Sequence, residues 1–264
     1  MAVVAGAGVF YLANLEKSPL TGRNQFIVNY SIFDPTSLAE STFKEYEHKL
    51  LPVSHPKTKR VRHIAARLID AYESSDWAEK IESKKKLTGN WKVFVVNDPL
   101  TKNAFVLPSG DIYVFSGLLD QLKAGDDAFI ATILAHEILH RLLRHSEEKA
   151  AILFLVAVLV DIVKISLGWD IPLDIFSQFA FALPFSRKLE CEADKYGLFL
   201  MARACYNPAI APQVWMAMSS QDDSSFVSTL ISTHPSNSDR IAALTQLVPE
   251  ALTHASECKR LLPP

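Results

Sequence analysis

Two histidines and a glutamate near the middle of the chain have the residue types and the spacing needed for metal chemistry. They lie in residues 134–140, which read LAHEILH. Residues four apart share one face of a helix, so His136 and His140 can present ring nitrogens to one zinc ion at about 2.0–2.1 Å. Glu137 lies about 100° further round the helix. Its carboxylate can take a proton from a metal-activated water without binding the metal.

The residues that flank this motif decide between a buried helix and a surface helix with two solvated histidines. Apolar side chains at 129–130, 133–135 and 138–139 nearly encircle the helix. A helix that is apolar on most faces is buried. Buried histidines and a buried carboxylate need strong polar partners, and a metal ion is one. The sequence therefore favours a buried metal site.

A zinc site of this kind needs a third protein ligand, and Glu190 is the better of two candidates. Glu190 and Asp194 share a helix face in the stretch RKLECEAD, so Glu190 can bind the metal while Asp194 accepts a hydrogen bond from a ligand histidine. The alternative is an ordinary charged helix face, with Arg187 pairing across it. The other candidate, His145, is rotated by about 140° from His140 on a straight helix and is not expected to join the site.

A third polar cluster follows later in the chain, at Thr233-His234-Pro235-Ser236. A residue before proline favours extended backbone, and His234 could donate a hydrogen bond to the oxyanion that forms when a peptide carbonyl is attacked. The alternative is a turn that leads into the next helix, with Ser236 or Ser238 as its cap.

Hydrophobic periodicity and turn residues predict the elements that hold these groups. Helices are predicted to begin near Ser41 and at Asp126 or Asp127, and to cover residues 58–74, 187–204 and 239–248. Strands are predicted at 25–32 and 91–98, and a hairpin is predicted to pair 104–107 with 112–115 across a turn at 108–111.

Two apolar segments indicate contact with a membrane. Residues 2–13 are shorter than the roughly 20 residues of a span. The favoured interpretation is the C-terminal part of a membrane helix, and the alternative is a short buried segment. Residues 151–168 contain Asp161 and Lys164, and a charge at mid-bilayer costs about 3 kcal/mol. A helix that is buried or lies in the membrane interface is therefore predicted, with a second span as the minor alternative.

Composition excludes some classes of protein. The chain has 264 residues, 49% of them hydrophobic and 21% charged, with a net charge of −2, which indicates a globular protein and gives no support for nucleic-acid binding. Cys191, Cys205 and Cys258 match neither a disulfide framework nor a zinc ribbon, so buried or idle thiols are expected. Cys191 lies beside Glu190, where redox sensitivity is the alternative.

Together, these motifs resemble those of a known peptidase family. The matching residues are His136-Glu137-x-x-His140, Ser186-Arg187-x-x-Glu190-x-Glu192-Ala193-Asp194, Thr233-His234-Pro235-Ser236 and Arg240-Ile241. This combination resembles the membrane metallopeptidases related to the CAAX prenyl endopeptidase and bacterial HtpX. The stretches Thr21-Gly22-Arg23, FVLPSGDIYVFSG and SRKLECEADKYGL are similar to the Oma-type endopeptidases of the mitochondrial inner membrane.

The resemblance implies a fold and a set of residue roles. The fold would be mostly helical (α+β), of the gluzincin type, with a small sheet and an HExxH helix. One zinc ion per chain would be bound, with Glu190 as the third ligand. His234 would stabilise the transition state, and Arg240 would support the site. The strand Asn103-Ala104-Phe105 would lie along the cleft and bind substrate as an added strand.

The resemblance also implies a location and partners. Stress would trigger cleavage of inner-membrane proteins, including the dynamin-like GTPase of membrane fusion, by a catalytic domain that faces the intermembrane space. Residues 1–13 would be part of a membrane segment and 14–264 the zinc metallopeptidase domain, in contact with the lipid bilayer but not with nucleic acid. Homo-oligomerisation is left open.

Two other functions remain as alternatives. One is a catalytically inactive, zinc-stabilised membrane scaffold, in which His145 or Cys191 would close the site as a fourth ligand. The other is a bacterial or endoplasmic-reticulum member of the same family with other substrates.

Overall fold

The computed structural model describes residues 2–28, 34–82, 91–122, 126–168, 184–219, 238–255 and 258. The helices are α1 (Ala2–Ala13), α2 (Pro35–Tyr46), α3 (Pro56–Glu73), α4 (Asp76–Glu82), α5 (Ser116–Leu119), α6 (Asp127–Leu142), α7 (His145–Leu167), α8 (Pro184–Arg203), α9 (Ala211–Ser219) and α10 (Ser238–Thr253). The strands are β1 (Leu15–Lys17), β2 (Asn24–Phe26), β3 (Lys92–Val96), β4 (Ala104–Val106) and β5 (Asp111–Phe115). The fold is thus mostly helical with small sheets, as the resemblance implies.

Helix α2 begins at Pro35, directly after its cap residue Asp34. Asp34 accepts hydrogen bonds from the backbone N–H groups of Thr36 and Ser37, and Pro35 occupies the first turn, where its missing N–H costs nothing. The predicted start near Ser41 is therefore wrong by more than a turn, because the cap and not the apolar stripe sets the boundary. The helices predicted at 58–74 and 187–204 are confirmed as α3 and α8, and the one predicted at 239–248 is the longer α10.

The larger sheet has the strand order β3-β5-β4. Strand β5 pairs in parallel with β3 and antiparallel with β4, which confirms the predicted hairpin. The hairpin turn places Gly110 at φ +97°, a conformation that favours glycine. Strand β2 covers only the first part of the strand predicted at 25–32, and residues 29–32 of that prediction lie outside the described residues.

Helix α6 runs through the centre of the core. Every residue from 130 to 142 is buried, which confirms the expectation from its flanking residues. Helices α8 and α3 and strand β4 pack around it. At Gly197 on α8, an added Cβ would lie 3.2 Å from the backbone nitrogen of His136. The glycine therefore lets α8 approach α6 closely at the level of this histidine.

Helices α1 and α7 carry exposed apolar side chains, among them Val9, Leu12, Leu153, Phe154 and Ile165. Within residues 151–168, Ala151 is the only described residue that is buried, so the described part of the chain leaves most of this segment at its surface. Its placement in a membrane interface stays a prediction. None of the helices among the described residues combines the length and apolarity needed to cross a membrane.

A disulfide joins Cys205, just after α8, to Cys258, beyond the end of α10, with their Cα atoms 5.4 Å apart. The expectation of idle thiols is wrong for this pair, because an odd cysteine count at irregular spacing gives no sign of which residues meet. Cys191 is a free, exposed thiol, so its expected role as a buried filler is also wrong.

Candidate metal centre

Helices α6 and α8 bring three potential metal ligands together. The Nε2 atoms of His136 and His140 are 3.0 Å apart. One carboxylate oxygen of Glu190 lies 3.3 Å from His136 Nε2, and the other lies 3.5 Å from His140 Nε2. Among the described residues, these three form the cluster of side chains able to hold a metal ion, and all three are buried.

The spacing of these donor atoms fits a small cation. For bonds of about 2.0–2.1 Å, the corners of a tetrahedron lie about 3.3 Å apart. The two ring nitrogens are 3.0 Å apart, and each of them has a different oxygen of Glu190 at 3.3 or 3.5 Å, so all of these contacts are close to that value. Two imidazole nitrogens with one carboxylate are also a common donor set of hydrolytic metal sites. The residues present therefore fit a tetrahedral metal ion.

The two rings differ in their electrostatics. Burial lowers the pKa of His136, but the carboxylates of Asp194 and Glu190 outweigh burial and raise it to about 9. Burial lowers the pKa of His140 well below its usual value, against the attraction of Glu190. A metal-bound imidazole is neutral, so a metal ion at this site would displace a proton from His136, whereas the lowered pKa of His140 favours its neutral ring.

Asp194 and Arg240 support His136 on the Nδ1 side of its ring, opposite the Nε2 atom that faces the other donors. The Oδ1 atom of Asp194 lies 3.0 Å from His136 Nδ1. Arg240 donates from Nε and Nη2 to the same carboxylate, at 2.7 and 2.9 Å. Burial raises the pKa of Asp194, but hydrogen bonds from His136 and Arg240 outweigh it, so the net shift is downward. The ring of Trp215 contacts His136 in a T-shaped arrangement, with ring centroids 4.9 Å apart, and Arg240 lies over the same Trp215 ring.

His145 lies nearer to the centre than the straight-helix prediction allows. Arg144 adopts φ +57°, which ends α6 and starts α7 in a new direction. His145 Nδ1 is then 2.9 Å from His140 Nδ1, at the ring edge opposite the Nε2 that faces Glu190. His145 therefore contacts a ligand histidine but is not placed as a fourth ligand, and Cys191 is exposed.

Glu137 is buried on α6 directly after His136. It is not one of the three clustered donors, which agrees with its position about 100° round the helix. A buried carboxylate next to a metal-binding cluster is costly to desolvate, and such a group needs a partner or a function. Its role in proton transfer stays a prediction.

Residues 103–105 and His234 are the other residues that the resemblance assigns to the site. Strand β4 contains Ala104 and Phe105 and pairs with β5 along one edge, and the backbone carbonyl of Asn103 accepts a hydrogen bond from Phe115. The strand packs against α6. Substrate binding along it stays a prediction. His234 lies outside the described residues, so its role is likewise untested.

Sequence reasoning missed Arg23 and Glu192 as supports of the centre. The alternative of an ordinary charged helix face would leave Glu192 in solvent, but Glu192 receives a hydrogen bond from Arg23 Nε at 2.6 Å. These two residues are separated by 169 positions, so no local pattern connects them. The only sequence signal is that Arg23 belongs to a stretch that resembles the Oma-type endopeptidases.

Comparison with known proteins agrees with this geometry. The model of peptidase family M48 matches residues 73–248. The mitochondrial metalloendopeptidase OMA1 of Schizosaccharomyces pombe is 37% identical over 95% of this chain and 71% of its own length. The OMA1 protein of Saccharomyces cerevisiae is 33% identical over 97% and 76%. The human protein of that name is 30% identical over 95% of this chain and 49% of its own length.

The family match covers both helices that carry the candidate ligands. The similarity to each of the two yeast relatives extends over most of this chain and most of the relative. The chain therefore belongs to peptidase family M48, among the relatives of the mitochondrial OMA1 metalloendopeptidases.

Proposed function

We propose that this chain is a zinc-dependent endopeptidase in which His136, His140 and Glu190 hold the metal. The observation that carries the proposal is the convergence of these three buried side chains, whose ligand atoms lie within 4.8 Å of one another. Zinc, when bound, would supply the Lewis acidity that activates water and polarises the scissile carbonyl. The names and family of the relatives support the same activity.

The protein's own residues would transfer the proton, orient the ligands, bind the substrate and stabilise the oxyanion. Glu137 takes the proton of the attacking water and delivers it to the leaving amine. Asp194, held by Arg240, orients His136. Strand β4, with Asn103 before it, offers backbone groups to an extended substrate. His234 donates to the oxyanion that develops on the scissile carbonyl.

The test of this proposal separates metal binding from proton transfer. Purified protein should contain about one zinc per chain, and Glu137→Gln should retain the zinc while peptide hydrolysis falls by at least about 10²-fold. Zinc content is measured by elemental analysis, and hydrolysis with an unstructured protein substrate. Full activity in Glu137→Gln, or a protein that binds no zinc, would contradict the proposal.

We further propose that the enzyme acts on membrane-associated proteins at the mitochondrial inner membrane, from the intermembrane space. The names of the relatives support a mitochondrial location. The exposed apolar residues of α1 and α7 support membrane contact, and the Cys205–Cys258 disulfide favours a compartment that permits disulfides. Protease digestion of mitochondria with ruptured outer membranes should degrade the enzyme, whereas protection under those conditions would place it in the matrix.

By the resemblance, stress would trigger the cleavage, and the inner-membrane dynamin-like GTPase is the proposed substrate. The purified enzyme should cut this GTPase at a discrete site, and Glu137→Gln should not. An intact GTPase after incubation with active enzyme would exclude it as a direct substrate.

A further inference from the structure

We propose that Arg23 is a positioning residue that holds metal ligand His140 in its metal-binding form through Glu192 and His145. This inference rests on the proposed function, because it concerns the same zinc site. Arg23 lies in the segment between β1 and β2, outside the residues 73–248 that match the family model. The N-terminal hairpin would thus complete a site whose ligands all lie in the matched region.

The guanidinium of Arg23 binds two carboxylates at once. It donates to Glu192 from Nε at 2.6 Å and from Nη2 at 3.1 Å. It donates to Glu148 from Nη1 and Nη2, both at 2.7 Å. The side chains of Arg23, Glu148 and Glu192 are only 10%, 1% and 13% exposed. A planar guanidinium with a fixed fork of donors is suited to such double bidentate contact, whereas a lysine ammonium is not.

A chain of contacts leads from these carboxylates to the metal ligand. The Oε2 atom of Glu192 is 3.3 Å from His145 Nε2. The other ring nitrogen of His145, Nδ1, is 2.9 Å from His140 Nδ1. The opposite nitrogen of His140, Nε2, faces His136 and Glu190. The side chains of Glu192, His145 and His140 thus form one continuous path of contacts from Arg23 to the Nε2 atom of His140.

Only one arrangement of protons along this path is compatible with a bound metal. An ionised carboxylate accepts hydrogen bonds and cannot donate, so His145 donates from Nε2 to Glu192. Neutral His145 then has its lone pair on Nδ1, and His140 donates to it from its own Nδ1. His140 is left with a lone pair on Nε2, which is the form that binds a metal. Arg23 acts at the start of the path by holding the Glu192 carboxylate in contact with His145.

The arrangement parallels the one behind the other ligand histidine. His136 is backed by Asp194, and Asp194 is held by Arg240 through two hydrogen bonds. His140 is supported by the carboxylate of Glu192 and by Arg23 in a similar way, except that His145 lies between His140 and Glu192. The arginine of the second path comes from the N-terminal hairpin, whose strand β1 directly follows α1. A change in the position of the hairpin would therefore reach His140.

The experiment compares Arg23→Met with Arg23→Lys in the full chain. Arg60→Met is the control, because it removes an arginine–carboxylate pair at the far end of α6, with Asp127. Arg23→Met should weaken zinc binding about 10- to 100-fold, the usual effect of losing a support behind a ligand histidine. It should also lower kcat more than it raises KM, and it should shift the visible absorption bands of the cobalt-substituted enzyme. Arg23→Lys should fall between wild type and Arg23→Met.

The outcomes separate this inference from the proposed function. A wild type that binds no zinc would remove the proposed function, and this inference with it. A zinc-dependent wild type, with Arg23→Met equal to it in zinc affinity and cobalt spectrum, would overturn the inference alone.

If Arg23→Met does not fold, nitrogen NMR of the histidine rings in the zinc-loaded wild type decides the question. The inference predicts a neutral His145 protonated on Nε2 and a His140 protonated on Nδ1. A neutral His145 protonated on Nδ1 would overturn it.

Discussion

The two metal-facing histidines differ in what holds their second ring nitrogen. His136 meets the carboxylate of Asp194 directly, whereas His140 meets His145. A direct carboxylate contact fixes the ring tautomer and makes the metal-binding nitrogen more basic. Asp194 is itself 6% exposed and carries the hydrogen bonds of Arg240. A change at this one side chain therefore acts on both the ligand and its arginine support.

Asp194→Asn should weaken zinc binding about 10- to 100-fold, because an amide is a weaker acceptor for His136 and removes the negative charge that Arg240 holds in place. Zinc affinity is measured by competition with a chelator of known affinity. Asp70→Asn, at an exposed position of α3, is the control and should not change the affinity. Equal affinities in wild type and Asp194→Asn would show that this contact does not tune the site.

The part of the site that could be predicted from sequence is the part encoded locally. The spacing of His136 and His140 on one helix is local, so the pair follows from the helical repeat alone. Residue spacing alone allowed Glu190 to be either a metal ligand or part of a charged helix face. The resemblance to the peptidase family then favoured the ligand role. His145 and Arg23 could not be predicted, because one depends on the left-handed conformation of Arg144 and the other on a contact across most of the chain.

At the scale of elements, the centre depends on the close approach of α6 and α8. Helix α6 supplies both histidines, and α8 supplies Glu190 and Asp194. The distance between donors on the two helices is therefore set by helix packing. Gly197 lies against the backbone of His136 at the point of closest approach, where a side chain has little room.

Gly197→Ala should push α8 away from α6 and lower the free energy of unfolding by about 1–3 kcal/mol, the usual range for overpacking. It should also weaken zinc binding, because Glu190 moves away from the histidines. Both effects are measured, by chemical denaturation and by zinc competition. Gly8→Ala on α1 has open space around it and should neither lower the free energy of unfolding nor change the zinc affinity. A Gly197→Ala protein with wild-type zinc affinity would mean that the helix spacing tolerates the added methyl group.

Elements were predicted best where short-range chemistry defines them. The β4–β5 hairpin was placed correctly because its turn residues lie between two runs of strand-forming residues. The start of α2 was misplaced because Asp34 caps it ahead of any apolar periodicity. Long-range burial could not be inferred for residues 151–168, since an apolar sequence is compatible with a core, a membrane surface or a partner.

At the scale of the whole molecule, covalent and ionic links connect distant parts of the chain. Arg23 and Arg144 tie the N-terminal hairpin to the metal-binding body, the latter through Glu16 at 2.8 Å. The disulfide ties the end of α8 to the chain beyond α10, across 53 positions. Because α8 carries Glu190, this link restrains the helix that completes the site.

Replacing Cys205 and Cys258 together by alanine should lower the free energy of unfolding by about 2–4 kcal/mol, because the disulfide restricts the unfolded chain over a long loop. Urea unfolding monitored by circular dichroism measures the change, and reduction of the wild type should reproduce it. Cys191→Ala removes the exposed free thiol and should leave the unfolding midpoint unchanged. An unfolding curve that does not respond to reduction would argue against a formed disulfide in solution.

The central claim is that two imidazoles and one carboxylate, with no sulfur, hold the metal. X-ray absorption at the zinc edge of the purified protein measures this ligand set directly. We expect one zinc per chain, scattering from two histidine rings, and oxygen for the rest of the shell at about 2.0–2.2 Å. A sulfur neighbour at about 2.3 Å, or a third imidazole, would contradict it.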